Sequence, residues 1–151
     1  MKLKKLQLKF LHFWVLESKF KFLPEIDEKL MNSEEIPIDI DYKILQAEQK
    51  ERYRIEVSIK SIEKRKQKYP YSFYVRSAGI FELTSKTDDE QKRRLIVRMA
   101  LPLVISSVRS YITNNSAYSP LRRYYLPVID MNELIKDKIK SEAKKAKMKS
   151  K

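Results

Sequence analysis

The sequence predicts an α+β fold in which a four-stranded antiparallel sheet is followed by two helices. The first half of the 151-residue chain alternates apolar and polar residues, as strands do, and the second half has the apolar spacing of helices. Strands followed by helices predict an antiparallel sheet and not a parallel βαβ arrangement. We expect one domain over residues 1–140 and a basic, disordered tail over residues 141–151.

Four segments have the alternating pattern of strands, and they cover residues 6–23, 36–45, 52–60 and 69–83. In the first segment the alternation changes phase between Leu11 and Leu16, which predicts a bulge or bend in a long strand. The fourth segment contains Gly79, the only glycine of the chain. A glycine inside a strand indicates a bulge or a close backbone contact, so we expect one of these features at Gly79.

The first helix should begin near Thr87 or Asp88, because Thr87 and Glu90 have the spacing of a capping box. It should run to about Asn114, and Pro102 should bend it. Its apolar stripe is too wide for one partner surface, which predicts that part of it packs against another subunit. Complete burial within one chain would produce the same periodicity.

The second helix should begin near Asp130, which has Glu133 three residues further on. Its apolar residues form one stripe and its other side is rich in lysine; the stripe consists of Met131, Leu134, Ile135 and Ile139. Such a helix could lie on the sheet, cover a groove, or sit on an anionic membrane surface.

The composition excludes several kinds of site. The chain has no cysteine, so it has no disulfide and no thiolate metal site, and its single histidine, His12, rules out a multi-histidine metal site. One glycine is too few for a phosphate-binding loop, and no glycine-flanked serine is present. Asp39 and Asp41 share a strand face, as carboxylates of any solvated strand do. We therefore expect a protein that is not an enzyme and uses neither cofactor nor metal.

The net charge of +13 is concentrated near the chain ends, and residues 136–151 alone carry eight lysines. The longest apolar run, Met99 to Val108, is about half the length needed to span a bilayer. No pattern of a signal peptide is visible. We expect a cytoplasmic protein without membrane insertion.

Six segments carry a resemblance to a known family. They are Phe20-Lys21-Phe22-Leu23-Pro24, Ile36-Pro37-Ile38-Asp39-Ile40-Asp41, Tyr53-Arg54-Ile55-Glu56-Val57, Ser77-Ala78-Gly79-Ile80-Phe81, Leu101-Pro102 with Ser107-Val108-Arg109, and Leu126-Pro127-Val128-Ile129-Asp130. In this order and spacing they resemble the SecB family of protein-export chaperones over about residues 6–140. The resemblance implies a tetramer of paired dimers that holds unfolded clients in long apolar grooves without ATP.

The chain also departs from that family. SecB proteins are acidic and dock the SecA motor through acidic residues of the sheet, which by rough alignment fall near Glu17, Lys21, Ser72 and Tyr74. Only Glu17 is acidic here, so we expect SecA docking to be weak or absent. Some SecB-like proteins protect the antitoxins of toxin–antitoxin systems, and the clients are therefore either preproteins or an antitoxin.

We place the client groove between the loop over residues 24–35, the second strand and the last helix. Its candidate lining residues are Phe22, Leu23, Ile26, Leu30, Met31, Ile38, Ile40, Leu134, Ile135 and Ile139. The alternative function is that of a basic nucleic-acid-binding module, in which Tyr71, Tyr74 and Arg76 stack and pair with bases. A structural subunit without a client is a third interpretation.

Overall fold

A computed structural model describes residues 8–22, 36–49, 51–63, 69–84, 87–120 and 122–149. Four strands form one antiparallel sheet in the order β1-β4-β3-β2: β1 Leu8–Phe22, β2 Ile38–Gln46, β3 Arg52–Ser61 and β4 Tyr71–Leu83. Strands β2, β3 and β4 follow one another as neighbours, and β1 lies beside β4, which is the Greek-key order. The predicted α+β fold is confirmed, with β1 and β2 at the two edges of the described sheet.

The irregularity predicted in the first strand is present. The pairing of β1 with β4 shifts between Phe10 and His12 and again between Val15 and Glu17. Leu11 and Leu16 therefore lie opposite no partner, as extra residues in a bulged strand do. The extra residue Leu11 shifts the alternation by one position, so Phe10 reaches the same face of the sheet as Phe13 and Val15.

The two faces of the sheet differ in chemistry. One face, here called the inner face, carries the buried apolar residues Ile55, Val57, Ile59, Val75 and Phe81. The opposite, outer face carries ion pairs across strands, Lys9 with Glu82 and Lys60 with Asp39, and one within β3, Arg54 with Glu56. One apolar and one solvated face are typical of an antiparallel sheet covered by helices on one side.

The inner face is covered by three consecutive helical segments. They are α1 (Asp89–Leu95), a π-helical turn (Ile96–Ala100) and α2 (Leu101–Ser116). Asp88 caps α1 by accepting a hydrogen bond from the Gln91 amide at 2.8 Å. The predicted start is confirmed, but the cap is the Asp88 carboxylate.

The disturbance expected at Pro102 takes the form of the π turn before it. The Leu101 amide donates to the carbonyl of Ile96, five residues back. Pro102 has no amide hydrogen, and its ring would collide with the carbonyl four residues back in a regular helix. The π turn places Pro102 in the first turn of α2, where a proline is tolerated.

Segment Asp89–Ser116 is long and apolar enough to cross a membrane by length and composition. In this fold one side of the segment faces the sheet, whereas Met99 and Leu103 are exposed. Leu101, Val104, Ile105, Val108 and Ile112 are all buried against the inner face, so the segment forms the helical side of the core.

The last helix, α3, spans Met131–Lys149. Asp130 caps it by accepting hydrogen bonds from the amides of Asn132 and Glu133, at 2.8 and 3.2 Å, which confirms the predicted start. The prediction of a disordered tail is wrong for residues 141–149, which continue the helix. Lysine, alanine and glutamate have high helix propensity, and no proline or glycine interrupts them. Residues 150–151 lie outside the described residues.

Candidate functional site

Four contacts fix the irregular connection that leads into α3. Leu126 is buried in the core, and the Arg109 guanidinium donates to the carbonyl of Pro127 at 2.9 Å. The Ser116 hydroxyl accepts from the Tyr124 amide at 2.7 Å, and the Tyr71 hydroxyl donates to the carbonyl of Arg122. These anchors come from β4 and α2, so the first turn of α3 is held by the core.

Along α3, the packing of apolar side chains against the body of the protein becomes looser after the first turn. No side chain of α3 is buried along its described length. Met131 and Leu134 pack against the core, Ile135 is half-buried, and Ile139 is 61% exposed. A helix that stabilised the fold mainly by burial would hide this stripe. The C-terminal end of the stripe, at Ile139, instead remains exposed beside strand β2.

One lysine connects the middle of α3 to the edge strand β2. The Lys138 ammonium lies 2.6 Å from a carboxylate oxygen of Asp41, 5.5 Å from the centre of the Tyr42 ring and 4.0 Å from Glu142. The lysine side chain is only 16% exposed. A cation over an aromatic face and beside a carboxylate is held in place by both.

These contacts shift two pKa values. Burial raises the pKa of the Asp41 carboxyl, but the hydrogen bond and charge of Lys138, together with the Tyr42 amide, outweigh burial and lower it below 3.8. Burial raises the pKa of the Tyr42 hydroxyl, and Glu142 adds to this shift while Arg93 opposes it. Asp41 is therefore ionised and Tyr42 neutral at neutral pH.

A groove of about 1020 Å³ lies between β2, the helical segment from α1 into the π turn, and α3. We call it the α3–β2 groove. The strand side is formed by Tyr42, Lys43, Ile44 and Leu45, the first helical side by Glu90, Arg93, Arg94, Val97 and Arg98, and the α3 side by Asn132, Ile135, Lys136, Lys138, Ile139 and Glu142. Its volume lies at the upper end of the roughly 300–1,000 Å³ of small-molecule pockets. Its size and openness suit a polypeptide segment.

The backbone of β2 also faces the groove. The Ala47 amide donates to Arg52 and the Ile62 amide to Pro37, so odd-numbered residues of β2 bond to β3. The backbone groups of Tyr42 and Ile44 consequently point away from β3, to the side on which β2 pairs with no further strand of the described sheet. Asp41 accepts from the Tyr42 amide at 2.9 Å, which occupies one of these positions.

The groove carries more positive than negative charge. Its lining contains six cationic side chains and two carboxylates, an excess of four. Arg94 pairs with Glu90 at 2.6 Å, and Lys138 pairs with Asp41. Lys43, Arg93, Arg98 and Lys136 have no carboxylate within 4 Å among the residues that the structure describes.

The predicted lining residues fall into three groups. Ile135 and Ile139 line the groove. Ile38, Ile40, Leu134 and Phe22 instead pack against the core, and Phe22 lies on β1, at the opposite edge of the sheet. The remaining predicted positions lie outside the described residues; they are Leu23, Ile26, Leu30 and Met31.

The sequence analysis missed the helical side of the groove. Arg93 and Val97 are four residues apart, as are Arg94 and Arg98, so each pair shares a helix face. This spacing is visible in the sequence. That the face lies beside β2 depends on the packing of the helix across the sheet, which no local pattern reveals.

The four positions of the expected SecA contact all lie on the outer face. Glu17 is opposite Arg76, Lys19 opposite Tyr74, and Lys21 opposite Ser72, and directly opposed residues share a face. Glu17 pairs with Lys19 at 3.4 Å. Weak or absent SecA docking stays a prediction.

The three residues suggested for base stacking do not share a surface. Tyr74 and Arg76 lie on the outer face, whereas Tyr71 is buried on the inner face, in contact with the rings of Phe22 and Tyr124. The strand register alternates their directions. The prediction that Tyr71, Tyr74 and Arg76 together stack and pair with bases is therefore wrong.

Comparison with known proteins adds a likeness of fold. No protein-family model and no curated protein matches the sequence. A SecB-like chaperone of Mycobacterium tuberculosis, solved in complex with a ChAD peptide from the HigA1 antitoxin, superposes with a TM-score of 0.59 at 9% identity, covering 82% of this chain and 91% of that one. A protein of unknown function from Streptococcus agalactiae superposes with a TM-score of 0.46 at 8% identity, covering 83% of this chain and 100% of that one. The chain has a SecB-like fold.

Proposed function

We propose that the protein is a holdase chaperone, not an enzyme, that binds unfolded or nascent polypeptides in the α3–β2 groove without ATP. The observation that carries the proposal is the partly exposed apolar stripe of α3, which faces the edge strand β2 across an open groove. Apolar client side chains would gain roughly 25 cal/mol for each Å² removed from water there. The free edge of β2 offers backbone hydrogen bonds to an extended client.

The fold supports this function and suggests the kind of client. The SecB-like chaperone with the similar fold is bound to an antitoxin peptide, so a polypeptide client is the natural candidate here. We propose either preproteins or an antitoxin as clients. We also propose a homo-oligomer, a tetramer in the first instance, because Phe10, Met99 and Leu103 leave apolar surface outside the core. Light scattering would test the oligomer.

The function is tested by placing carboxylates in the groove. We expect the double variant Ile135→Asp with Ile139→Asp to lose suppression of client aggregation in an assay without ATP. A carboxylate without a partner opposes burial of an apolar client by several kcal/mol, about 2 or more. Because α3 has no buried side chain, the thermal midpoint should change by no more than a few degrees.

A matched control tests whether a loss of activity depends on the position of the carboxylates or only on the added negative charge. Val128 and Met148 are 91% and 82% exposed and lie outside the groove. The double variant Val128→Asp with Met148→Asp makes the same chemical change and should retain full activity. A folded Ile135→Asp/Ile139→Asp variant that protects the client as well as the wild type would show that the groove is not the binding site.

A further inference from the structure

The α3–β2 groove combines apolar anchors with cations that form no ion pair within the part of the chain that the structure describes. Tyr42, Ile44, Leu45 and Val97 form an apolar floor and walls, and Arg93, Arg98, Lys43 and Lys136 stand around them. Several strand cations of the outer face, by contrast, lie within 4 Å of a carboxylate; they are Lys9, Lys19, Arg52, Arg54 and Lys60. The groove therefore has charges left to be neutralised.

The geometry makes these cations available to a bound segment. Arg93 and Arg98 are exposed on the helical side of the groove, and Lys136 is exposed on the α3 side. The two carboxylates of the groove, Glu90 and Glu142, lie near Arg94 and Lys138. A segment lying between the walls would meet positive charge from both sides.

We infer that the α3–β2 groove selects client segments in which apolar residues alternate with acidic ones. This inference rests on the proposed function and names the client chemistry of the same site. Charge complementarity across a partly desolvated interface mainly determines which partner is accepted. A basic segment with identical apolar residues would place like charges beside Arg93 and Arg98, which opposes binding.

The test uses three synthetic peptides that share the same isoleucine, leucine and tyrosine positions. The intervening residues are four glutamates, four glutamines or four lysines. Fluorescence anisotropy at low salt should give the order glutamate, glutamine, lysine, with about a tenfold difference in Kd between the first and the last. Added salt should narrow the difference, because screening weakens exposed charge pairs.

Two double variants, each lacking two positive charges, test which surface produces the preference for the glutamate peptide. Arg93→Gln with Arg98→Gln should weaken the glutamate peptide several-fold, about three or more, and leave the glutamine peptide unchanged. Lys21→Gln with Arg76→Gln removes the same charge from the outer face and should leave the order intact.

The possible outcomes distinguish a failure of the inferred charge selection from a failure of the proposed holdase function. Equal binding of the three peptides, or a preference for the lysine peptide, overturns the charge selection while the holdase function stands. If no peptide binds, and client protection is unchanged by Ile135→Asp with Ile139→Asp, the proposed function fails. Binding of a single-stranded oligonucleotide that requires Arg93 and Arg98, without binding of the glutamate peptide, overturns the inference in favour of a nucleic-acid ligand.

Discussion

At the scale of single residues, Gly79 shows what the sequence could and could not indicate. A lone glycine in a strand predicted a bulge or a close contact, and the structure has the close contact. A Cβ atom on Gly79 would lie 2.8 Å from Val104 Cγ2, 3.1 Å from Phe81 Cε2 and 3.3 Å from Phe10 Cε2. The missing side chain lets α2 approach the sheet. The identity of the neighbour, Val104, follows only from the packing.

Substitution of Gly79 tests this contact. Gly79→Ala should lower the free energy of unfolding by about 1–3 kcal/mol, because the added methyl overpacks a buried position. Urea denaturation should show a lower midpoint with an unchanged slope. Val104→Ala should cost less in the Gly79→Ala background than in the wild type, because it removes the colliding methyl. Additive changes in the free energy of unfolding would show that a side chain at position 79 does not contact Val104.

At the scale of elements, the strands and helix starts could be predicted because their signals are local. Alternation located the four strands, and capping-box spacings located the helix starts near Asp88 and Asp130. The groove was predicted only in part, since the sequence indicated its α3 stripe and its strand but not its second helical side. The disordered tail was wrong because lysine-rich composition is compatible with both a solvated coil and a solvated helix.

The attachment of α3 to β2 should depend on pH through Asp41. Its pKa is lowered below 3.8 in the folded protein, so the pair with Lys138 stabilises α3 fully above about that value. The stabilisation is lost as the pH falls through the lower, folded-state pKa. Asp41 is half exposed, so the contribution should stay below about 1 kcal/mol.

Hydrogen exchange of the α3 amides measures this contribution. At neutral pH, Asp41→Asn should exchange faster than the wild type over residues 131–142, and the difference should vanish on acidification. Taking the ratio of variant to wild-type rates at each pH cancels the intrinsic pH dependence of exchange. Asp39→Asn is the control, since Asp39 pairs with Lys60 of β3 and not with α3. A ratio that stays constant on acidification would contradict the role of the pair.

At the scale of the whole molecule, two halves of the protein have different tasks. The sheet and the segment Asp89–Ser116 contain nearly all the buried apolar residues, so they supply stability. The helix α3 contributes no buried side chain and instead completes a charged, apolar groove against the edge of the sheet. This division predicts that binding can be removed without unfolding the protein, and that the outer face away from β2 is not involved in holding a client.

Site-specific photo-crosslinking tests the central claim most directly. A photoreactive amino acid is placed at Ile139 or Leu45, on the two sides of the α3–β2 groove, and at Tyr74 on the outer face. Each folded variant is mixed with an unfolded client and irradiated. We predict crosslinks to the client from Ile139 and Leu45 and none from Tyr74. Crosslinks from Tyr74 without any from Ile139 or Leu45 would contradict the claim that this groove binds the client.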